Sequence, residues 1–174
     1  MTLRDCTEAQ ATEILAILNE AIVHSTALYD YQPRPVESMG PWFAEKRTGN
    51  YPVIGAFLPA GTLAGFATYG PFRARPAYKY SIEHSVYVEK SHRCQGIGTE
   101  LLRALIERAT AQGYHMMIGG IDAANRGSVR FHEQLGFTPC GTIREAGFKF
   151  GHWLDLEFHQ LILPTPAHRS TVDR

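Results

Sequence analysis

The sequence predicts an α/β or α+β fold in which helices cover both faces of a sheet. A hairpin in the first half of the chain is followed by helices that alternate with strands in the second half. An alternating strand over residues 81–88 also runs into a glycine-containing turn and then into a helix with one apolar face. We expect a single domain over residues 1–163, which is long enough to bury a core.

The first half of the chain contains two helices and the hairpin. Thr7 is a suitable N-cap for a helix that extends to about Val23. The apolar residues of this helix recur at helical spacing, at Ile14, Leu15, Ile17, Leu18, Ala21 and Ile22. The remaining elements, in chain order, are an aromatic and proline-rich loop at 29–35, a helix at 36–47, a strand at 51–57, a turn at 59–61 and a strand at 62–69.

The second half begins with an irregular basic loop over 70–78 that leads into the strand at 81–88. The long helix after the glycine turn has an apolar stripe formed by Ile97, Leu101, Leu102, Leu105, Ile106 and Ala109. A strand at 115–121, a helix at 125–135, further strands and a last strand at 153–163 complete the pattern. Residues 164–174 are expected to form a flexible C-terminal tail.

The composition of the chain argues against several classes of protein. Basic and acidic residues number 17 each, so no global field attracts nucleic acid or an anionic membrane. No apolar run approaches the ~18 residues of a membrane span and no signal peptide begins the chain, so we expect a cytoplasmic protein. Three distant cysteines, Cys6, Cys94 and Cys140, argue against a disulfide framework or a zinc knuckle. His152 and His159 fall on opposite faces of a strand, and we expect no metal.

The most informative segment is the turn Arg93-Cys94-Gln95-Gly96-Ile97-Gly98. A helix that starts after a strand and a glycine turn can hold a pyrophosphate, because its end offers unpaired N–H groups and the positive end of its dipole. Gly96 and Gly98 let the backbone approach phosphate without a Cβ clash. The spacing is neither that of a Walker A loop nor that of the dinucleotide-binding G-x-G-x-x-G. The alternative is that the glycines only shape a tight turn.

The turn matches Arg/Gln-x-x-Gly-x-Gly/Ala, the acyl-CoA signature of the GNAT acetyltransferase superfamily, which the chain resembles. A second signature of that superfamily is matched by Asn125, Ser128, His132, Leu135, Gly136 and Phe137. More selective segments, at 70–75, 83–88 and 147–155, resemble the phosphinothricin and methionine sulfoximine N-acetyltransferases. The likeness extends over residues 3–161. It implies the GNAT fold, a mixed and strongly twisted sheet with helices on both faces.

The resemblance also implies binding residues. Acetyl-CoA is the implied co-substrate, with its pantetheine arm at Val86, Tyr87, Val88, Asn125 and Ser128. Asn125 is also a good helix N-cap, and the two roles can coexist. The pyrophosphate would take N–H groups from Arg93, Cys94, Gln95, Gly96, Ile97, Gly98 and Thr99. The implied substrate site comprises Tyr29, Arg73, Arg75, Pro76, Ala77, Glu83, Ser85 and Lys149. A guanidinium fork suits a carboxylate or a phosphinate, but a solvated basic loop is the alternative for both arginines.

Glu83 is the candidate general base. Acetyl transfer needs a neutral amine nitrogen, and a nearby carboxylate can take the proton directly or through water. Strand alternation places Glu83 opposite the more apolar face, which carries Ile82, His84, Val86 and Val88. The alternative for Glu83 alone is a solvent-facing carboxylate. His132 stands where many superfamily members have a tyrosine acid, so it either protonates the departing thiolate or only contacts the cofactor and fills space. Cys94 is interpreted as a loop residue, because nothing in the sequence obviously activates it.

The sequence therefore predicts an acetyl-CoA-dependent N-acetyltransferase for the α-amine of a small amino-acid analogue: phosphinothricin, methionine sulfoximine or methionine sulfone. One alternative is an acetyltransferase for another amine, such as a polyamine, an antibiotic or a protein N-terminus. Another is a non-catalytic acyl-CoA-binding module, against which the presence of Glu83 counts. The resemblance implies a homodimer, with Tyr29, Phe148 and Trp153 as interface or pocket aromatics.

Overall fold

A seven-stranded sheet organises the chain. In the computed structural model, which describes residues 1–164, its strand order is β1-β2-β3-β4-β5-β7-β6. The strands are β1 (Thr2–Asp5), β2 (Val53–Phe57), β3 (Leu63–Pro71), β4 (Ser81–Val88), β5 (Met116–Asp122), β6 (Thr138–Lys149) and β7 (His152–Ile162). Neighbouring strands are antiparallel, except that β4 and β5 are parallel. The mixed sheet expected from the resemblance is confirmed.

Four helices lie between the strands: α1 (Ala11–His24), α2 (Met39–Thr48), α3 (Ile97–Ala111) and α4 (Arg126–Gln134). Thr7 begins the first helical segment, as its sequence predicts, but the first turn is a tight 3-10 turn over Glu8–Gln10. The Thr7 hydroxyl accepts from the N–H of Ala9 at 3.3 Å, and the Gln10 side chain accepts from the N–H of Thr7 at 3.0 Å. These reciprocal bonds satisfy donors that a helix start leaves unpaired.

The sheet separates two apolar cores, and neighbouring residues of β3 enter different ones. The alternation of β3 changes phase at an irregularity in its pairing with β2, where Ala56 pairs with Gly65 and Phe57 with Leu63. Ala64 and Ala67 of β3 pack with the α3 stripe of Leu101, Leu102 and Leu105. Leu63 and Phe66 pack on the other face with Ile14, Ile17 and Leu18 of α1 and with Met39 and Phe43 of α2. Partly buried Phe131 and Leu135, from α4 and its C-terminus, join the α3 side. Helices therefore cover both faces, as the sequence predicts.

The two edge strands are the ones that the sequence delimits least: β1 is not predicted, and β6 is one of the further strands expected without bounds after the helix at 125–135. β1 is a four-residue edge strand that pairs with β2, and its side chains are largely exposed. β6 is the opposite edge, twelve residues long, and nearly all of its side chains are exposed. The predicted tail lies, apart from residue 164, outside the described residues. Within residues 1–164, no helix combines the length and the apolar character that crossing a membrane requires.

The close approach of β3 to β4 at Gly65 can be tested by adding a side chain at this position. A Cβ on Gly65 would lie 2.7 Å from the carbonyl oxygen of Tyr87 and 3.1 Å from Cα of Val88, so backbone has to move. We expect Gly65→Ala to lower the free energy of unfolding by about 1–3 kcal/mol in urea denaturation. Gly40→Ala is the control, because a Cβ on Gly40 of α2 meets no atom within 4 Å. Equal stability of the two variants would contradict this packing.

Candidate active site

The candidate site is a cleft that opens where β4 and β5 separate. The two strands pair only at Ser81 with Met116, Ile82 with Met117 and Glu83 with Ile118. Beyond Glu83, β4 continues along β3 to Val88, while β5 continues along β7 to Asp122. Because each strand stays bound to its outer neighbour, a gap opens between them. The resulting cleft has a volume of about 720 Å³.

Most of the site residues expected from the sequence come together in this cleft. Those that line it are Tyr29, Glu83, Ser85, Val86, Tyr87, Val88, Arg93, Cys94, Gly96, Gly98, Thr99, Asn125, Ser128 and His132. Those that do not line it are Arg73, Arg75, Pro76, Ala77, Gln95, Ile97 and Lys149. The side chain of Gln95 turns back to the carbonyl of Ser91, and Ile97 is buried in the core. Both residues still belong to the turn whose backbone faces the cleft.

Glu83 is placed at the point of separation and is partly buried. On β5 beside it, a Cβ on Gly120 would lie only 3.2 Å from Oε1 of Glu83, so this glycine makes room for the carboxylate. Burial raises the pKa of Glu83 above its ordinary value, although the charge of Arg73 opposes the shift. Within the described chain, the carboxylate accepts no hydrogen bond. The Glu83 carboxylate can therefore accept further hydrogen bonds, and because its pKa is raised it binds a proton at a pH closer to neutral than an exposed glutamate does.

On the other face of β4, His84 and His132 form a buried stack. Their ring centroids are 5.1 Å apart, with 29° between the planes, and Phe137 contacts both rings edge-on. A Cβ on Gly119 would lie 2.9 Å from Nε2 of His84 and 3.2 Å from Nε2 of His132. Within the described residues, neither ring nitrogen of His84 has a hydrogen-bond partner. Burial, assisted by His132, lowers the pKa of His84 from 6.5 to about 3, so the ring is neutral.

His132 is held in one tautomer. Its Nδ1 lies 2.7 Å from the carbonyl oxygen of Ser128, and because a carbonyl only accepts, Nδ1 carries the proton. Nε2 of the neutral ring is then a lone-pair acceptor, and it has no partner in the described chain. Burial also lowers the pKa of His132. The acid role expected from the resemblance needs the doubly protonated ring, which burial disfavours, so that role stays a prediction.

The glycine turn presents backbone donors to the cleft. Cys94 has φ 60° and Gly96 has φ 81°, and Gly96 is the N-cap of α3. Within residues 1–164, the N–H groups of 93–98 donate to no carbonyl oxygen. Left-handed residues next to a helix start bring such groups together on one side and make an anion-binding concavity. The Arg93 side chain instead braces the turn, donating from Nε to the carbonyl of Val88 at 3.1 Å and pairing with Glu20 of α1.

The start of α4 forms the adjacent part of the cleft. Oδ1 of Asn125 accepts from the N–H of Ser128 at 3.0 Å, so Asn125 caps the helix as its sequence predicts. Both residues also line the cleft, so the cap does not remove them from it. Among the described residues, no group of three or more His, Cys, Asp or Glu side chains is arranged to hold a metal ion.

The residues expected to bind substrate are divided by the structure. Tyr29 and Ser85 line the cleft, and Tyr29 packs on Gly147, where a Cβ would lie 2.6 Å from its ring. Arg73 is exposed and stacks on Phe72, and its charge reaches Glu83. The segment 75–77 is exposed and lies outside the cleft lining. Lys149 corrects the expectation most clearly, because it is only 4% exposed and its ammonium is used within the protein.

Sequence reasoning missed several cleft residues. Thr26, Asp122 and Phe131 line the cleft, and so do the adjacent glycines Gly119 and Gly120. Two glycines in a strand are a signal of close approach by other groups, so that pair was detectable. No pattern marks the other three, whose positions follow from the packing of the loop after α1, of the end of β5 and of α4.

The chain belongs to the acetyltransferase (GNAT) family, whose model matches residues 15–137. It is therefore an enzyme of the N-acetyltransferase class, which confirms the superfamily and the class predicted from the sequence. Among curated proteins, the L-methionine sulfoximine/L-methionine sulfone acetyltransferase of Pseudomonas aeruginosa is 41% identical over 162 residues, 93% of this chain and 94% of the relative.

Solved structures of acetyltransferases are also similar to this chain in sequence and in fold. A GNAT superfamily phosphinothricin acetyltransferase from Sinorhizobium meliloti, in complex with AcCoA, is 34% identical with a TM-score of 0.93, and the match covers 98% of this chain and 92% of that one. A ribosomal-protein-alanine N-acetyltransferase from Brucella melitensis is 39% identical with a TM-score of 0.91, and it covers 94% and 100% of the two chains. The GNAT fold is confirmed.

The buried neutral state of His84 predicts a loss of stability in acid. A histidine whose pKa falls from 6.5 to about 3 on folding contributes stability that is complete above pH 6.5 and lost as the pH falls toward 3. At pH 5 this loss is roughly 2 kcal/mol in urea denaturation. We expect His84→Leu to flatten the fall between pH 7 and 5. The exposed His152→Leu is the control and keeps the wild-type slope. A wild-type slope in His84→Leu would contradict the neutral buried ring.

Proposed function

We propose that this protein is an acetyl-CoA-dependent N-acetyltransferase that acts on the α-amine of a small amino-acid analogue. The observation that carries the proposal is the position of Glu83, a partly buried carboxylate of raised pKa at the point where β4 and β5 separate. The same cleft contains a turn with free backbone N–H groups at its other end. The same cleft therefore contains a proton acceptor, which suits an amine, and backbone N–H donors, which suit an anionic group.

The residues of the cleft fit acetyl-CoA. The N–H groups of 93–98 and the start of α3 suit a pyrophosphate. A Cβ on Gly98 would lie 3.6 Å from the Phe131 ring and 3.7 Å from Val88, so this glycine keeps the start of α3 narrow beside two residues that line the cleft. The edge of β4 over Val86 to Val88 faces the gap, where a pantetheine arm can add to the sheet like a strand. Acetyl-CoA supplies the thioester carbonyl that the amine attacks. Asn125 and Ser128 line the opposite side of the gap.

Glu83 supplies the base. An amino acid reaches the enzyme as an ammonium ion, which has no lone pair, so a proton has to leave before the nitrogen can attack a carbonyl. Burial raises the proton affinity of the Glu83 carboxylate, which brings it closer to the acidity that efficient proton transfer near neutral pH requires. The buried imidazoles lie on the other face of β4 and are neutral, so they add no charge against the incoming cation.

The acceptor is proposed from the chemistry of the cleft and from two relatives. Methionine sulfoximine, methionine sulfone and phosphinothricin, which appear in the relatives' names, are amino acids with a free carboxylate. Arg73 is the cation whose charge reaches Glu83, so it is positioned to attract an anionic group next to the amine. The Brucella relative favours a second candidate, the α-amine of a protein N-terminus, which lacks that free carboxylate. An acetyl transfer assay on a panel of amino-acid analogues and peptides distinguishes the two.

We also propose that the enzyme is a homodimer. Three aromatic side chains at the β6–β7 hairpin, Phe148, Phe150 and Trp153, are 45%, 56% and 60% exposed. Tyr31, which donates to the carbonyl of Phe148 at 2.7 Å, is 67% exposed beside them. A second copy would remove this apolar surface from water next to the cleft, because Tyr29 packs on Gly147 of the same strand. Sedimentation velocity decides between dimer and monomer.

Glu83→Gln tests the general base directly. The amide keeps the shape of the side chain but removes its basicity, so we expect kcat near neutral pH to fall by ~10²–10⁴-fold while acetyl-CoA binds normally. Activity is partly recovered at high pH, where solution supplies more free amine. Glu107→Gln, an exposed carboxylate on α3, is the control and keeps wild-type turnover. Near-normal turnover by Glu83→Gln would contradict the general-base proposal, but it would not bear on the proposed cofactor site.

Gly98→Val tests the cofactor turn. The added methyl groups would press on Phe131 and Val88, which line the cleft beside the turn, and would narrow the approach of phosphate to the start of α3. We therefore expect a loss of at least ~1.4 kcal/mol, tenfold in acetyl-CoA affinity, by isothermal titration calorimetry. Gly40→Val is a matched control, because Gly40 is likewise the second residue of its helix and lies outside the cleft. Unchanged affinity in a folded Gly98→Val variant would remove this turn from the cofactor site.

A further inference from the structure

Lys149 is a buried cation whose role the proposed chemistry does not use. Its ammonium donates to three carbonyl oxygens, those of Ile22 at 2.7 Å, Ser25 at 2.8 Å and Leu28 at 2.6 Å. An ammonium has three N–H donors, so its hydrogen-bonding capacity is filled. The side chain is 4% exposed and lies outside the lining of the cleft. It therefore cannot contact a substrate without giving up these bonds.

The three carbonyls belong to one stretch of backbone. Ile22 lies in the last turn of α1, Ser25 is its C-cap, and Leu28 lies in the loop that follows. Carbonyls at a helix C-terminus have no partner inside the helix, and a cation there also interacts favourably with the helix dipole. By binding all three, Lys149 fixes the path by which the chain leaves α1. The next residues on this path, 26–29, line the cleft, and we call them the 26–29 wall.

The 26–29 wall has two further attachments. The Thr26 hydroxyl donates to Oδ2 of Asp122, at the end of β5, at 2.5 Å. The Tyr29 ring packs against Gly147, two residues before Lys149 on β6. Gly147 and Lys149 therefore contact the wall from the same strand, one by packing and the other by hydrogen bonds. The turn at 93–98 belongs to a different part of the cleft, between β4 and α3.

We infer that Lys149 is a positioning residue that holds the 26–29 wall in place for the amine substrate. The inference rests on the proposed function, since it assigns the wall to the side of the cleft that the acceptor amine occupies with Glu83. Removing the ammonium takes this donor from one buried and two part-buried carbonyls, so the wall loses its fixed path. The cofactor turn makes no hydrogen bond to Lys149, and its link to α1 is the pair of Arg93 with Glu20, before the segment that Lys149 holds. We therefore expect the affinity for acetyl-CoA to change little when Lys149 is replaced.

The test compares Lys149→Met with Lys46→Met. Both lysines are buried, and Lys46 donates to the carbonyl of Tyr69 at 2.9 Å, away from the cleft, so it controls for the loss of a buried ammonium. In Lys149→Met we expect hydrogen exchange of residues 25–31 to accelerate about tenfold or more, as the loop opens more often. The KM for the amine should rise about tenfold, while the acetyl-CoA Kd changes less than about twofold. Lys46→Met should show neither change.

Unchanged exchange over 25–31, an unchanged amine KM, or the same changes in Lys46→Met would overturn the inference. If Lys149→Met does not fold, Gly147→Ala replaces it, because the added Cβ displaces the Tyr29 ring but keeps the ammonium. It should raise the amine KM and spare the acetyl-CoA Kd, and an unchanged amine KM overturns the inference. If the wild-type protein acetylates no amine, the proposed function fails. In that case, only the hydrogen-exchange comparison of residues 25–31 tests whether Lys149 holds the 26–29 wall.

Discussion

The structure depends on the separation of β4 from β5 after only three parallel pairs. Each strand is held on its outer side, β4 by β3 and β5 by β7, so the separation costs only the pairing between the two. That lost pairing leaves a strand edge inside the protein, where an extended ligand can complete the hydrogen bonding that the sheet omits. It also sets the position of Glu83, which is the last residue of β4 that pairs with β5 and is paired with β3 on its other side.

The opening also separates two electrostatic environments. Glu83 faces the side of α1 and α2, where the charge of Arg73 reaches it. His84 and His132 face the side of α3 and α4, in an apolar setting that keeps both rings neutral. Because a strand alternates its side chains, two consecutive residues of β4 serve these two environments. A cation that enters the cleft thus meets a carboxylate on one side of the sheet and uncharged rings on the other.

The sequence predicted those helices and strands whose caps or hydrophobic periods can be recognised within the element itself. Thr7 and Asn125 cap helices, and the alternation of β4 and the stripe of α3 mark their buried faces. β1 and β6 have exposed side chains and no period, so only pairing with β2 and β7 defines them. In the site, Glu83 and the glycine turn follow from the chain itself. The stacking of His84 on His132 and the burial of Lys149 depend on contacts between distant segments, which no local pattern encodes.

The segment Ile118-Gly119-Gly120-Ile121 has a consequence for how the sheet assembles. Gly119 gives room to the histidines on one face, and Gly120 gives room to Glu83 on the other. If β5 slipped by one residue in either direction, an isoleucine would replace a glycine against the histidines or against the carboxylate. Since a one-residue slip exchanges the faces of a strand, the two glycines between isoleucines penalise misalignment from both sides. The two glycines that make room for the cleft side chains therefore also select the alignment of β5 in the sheet.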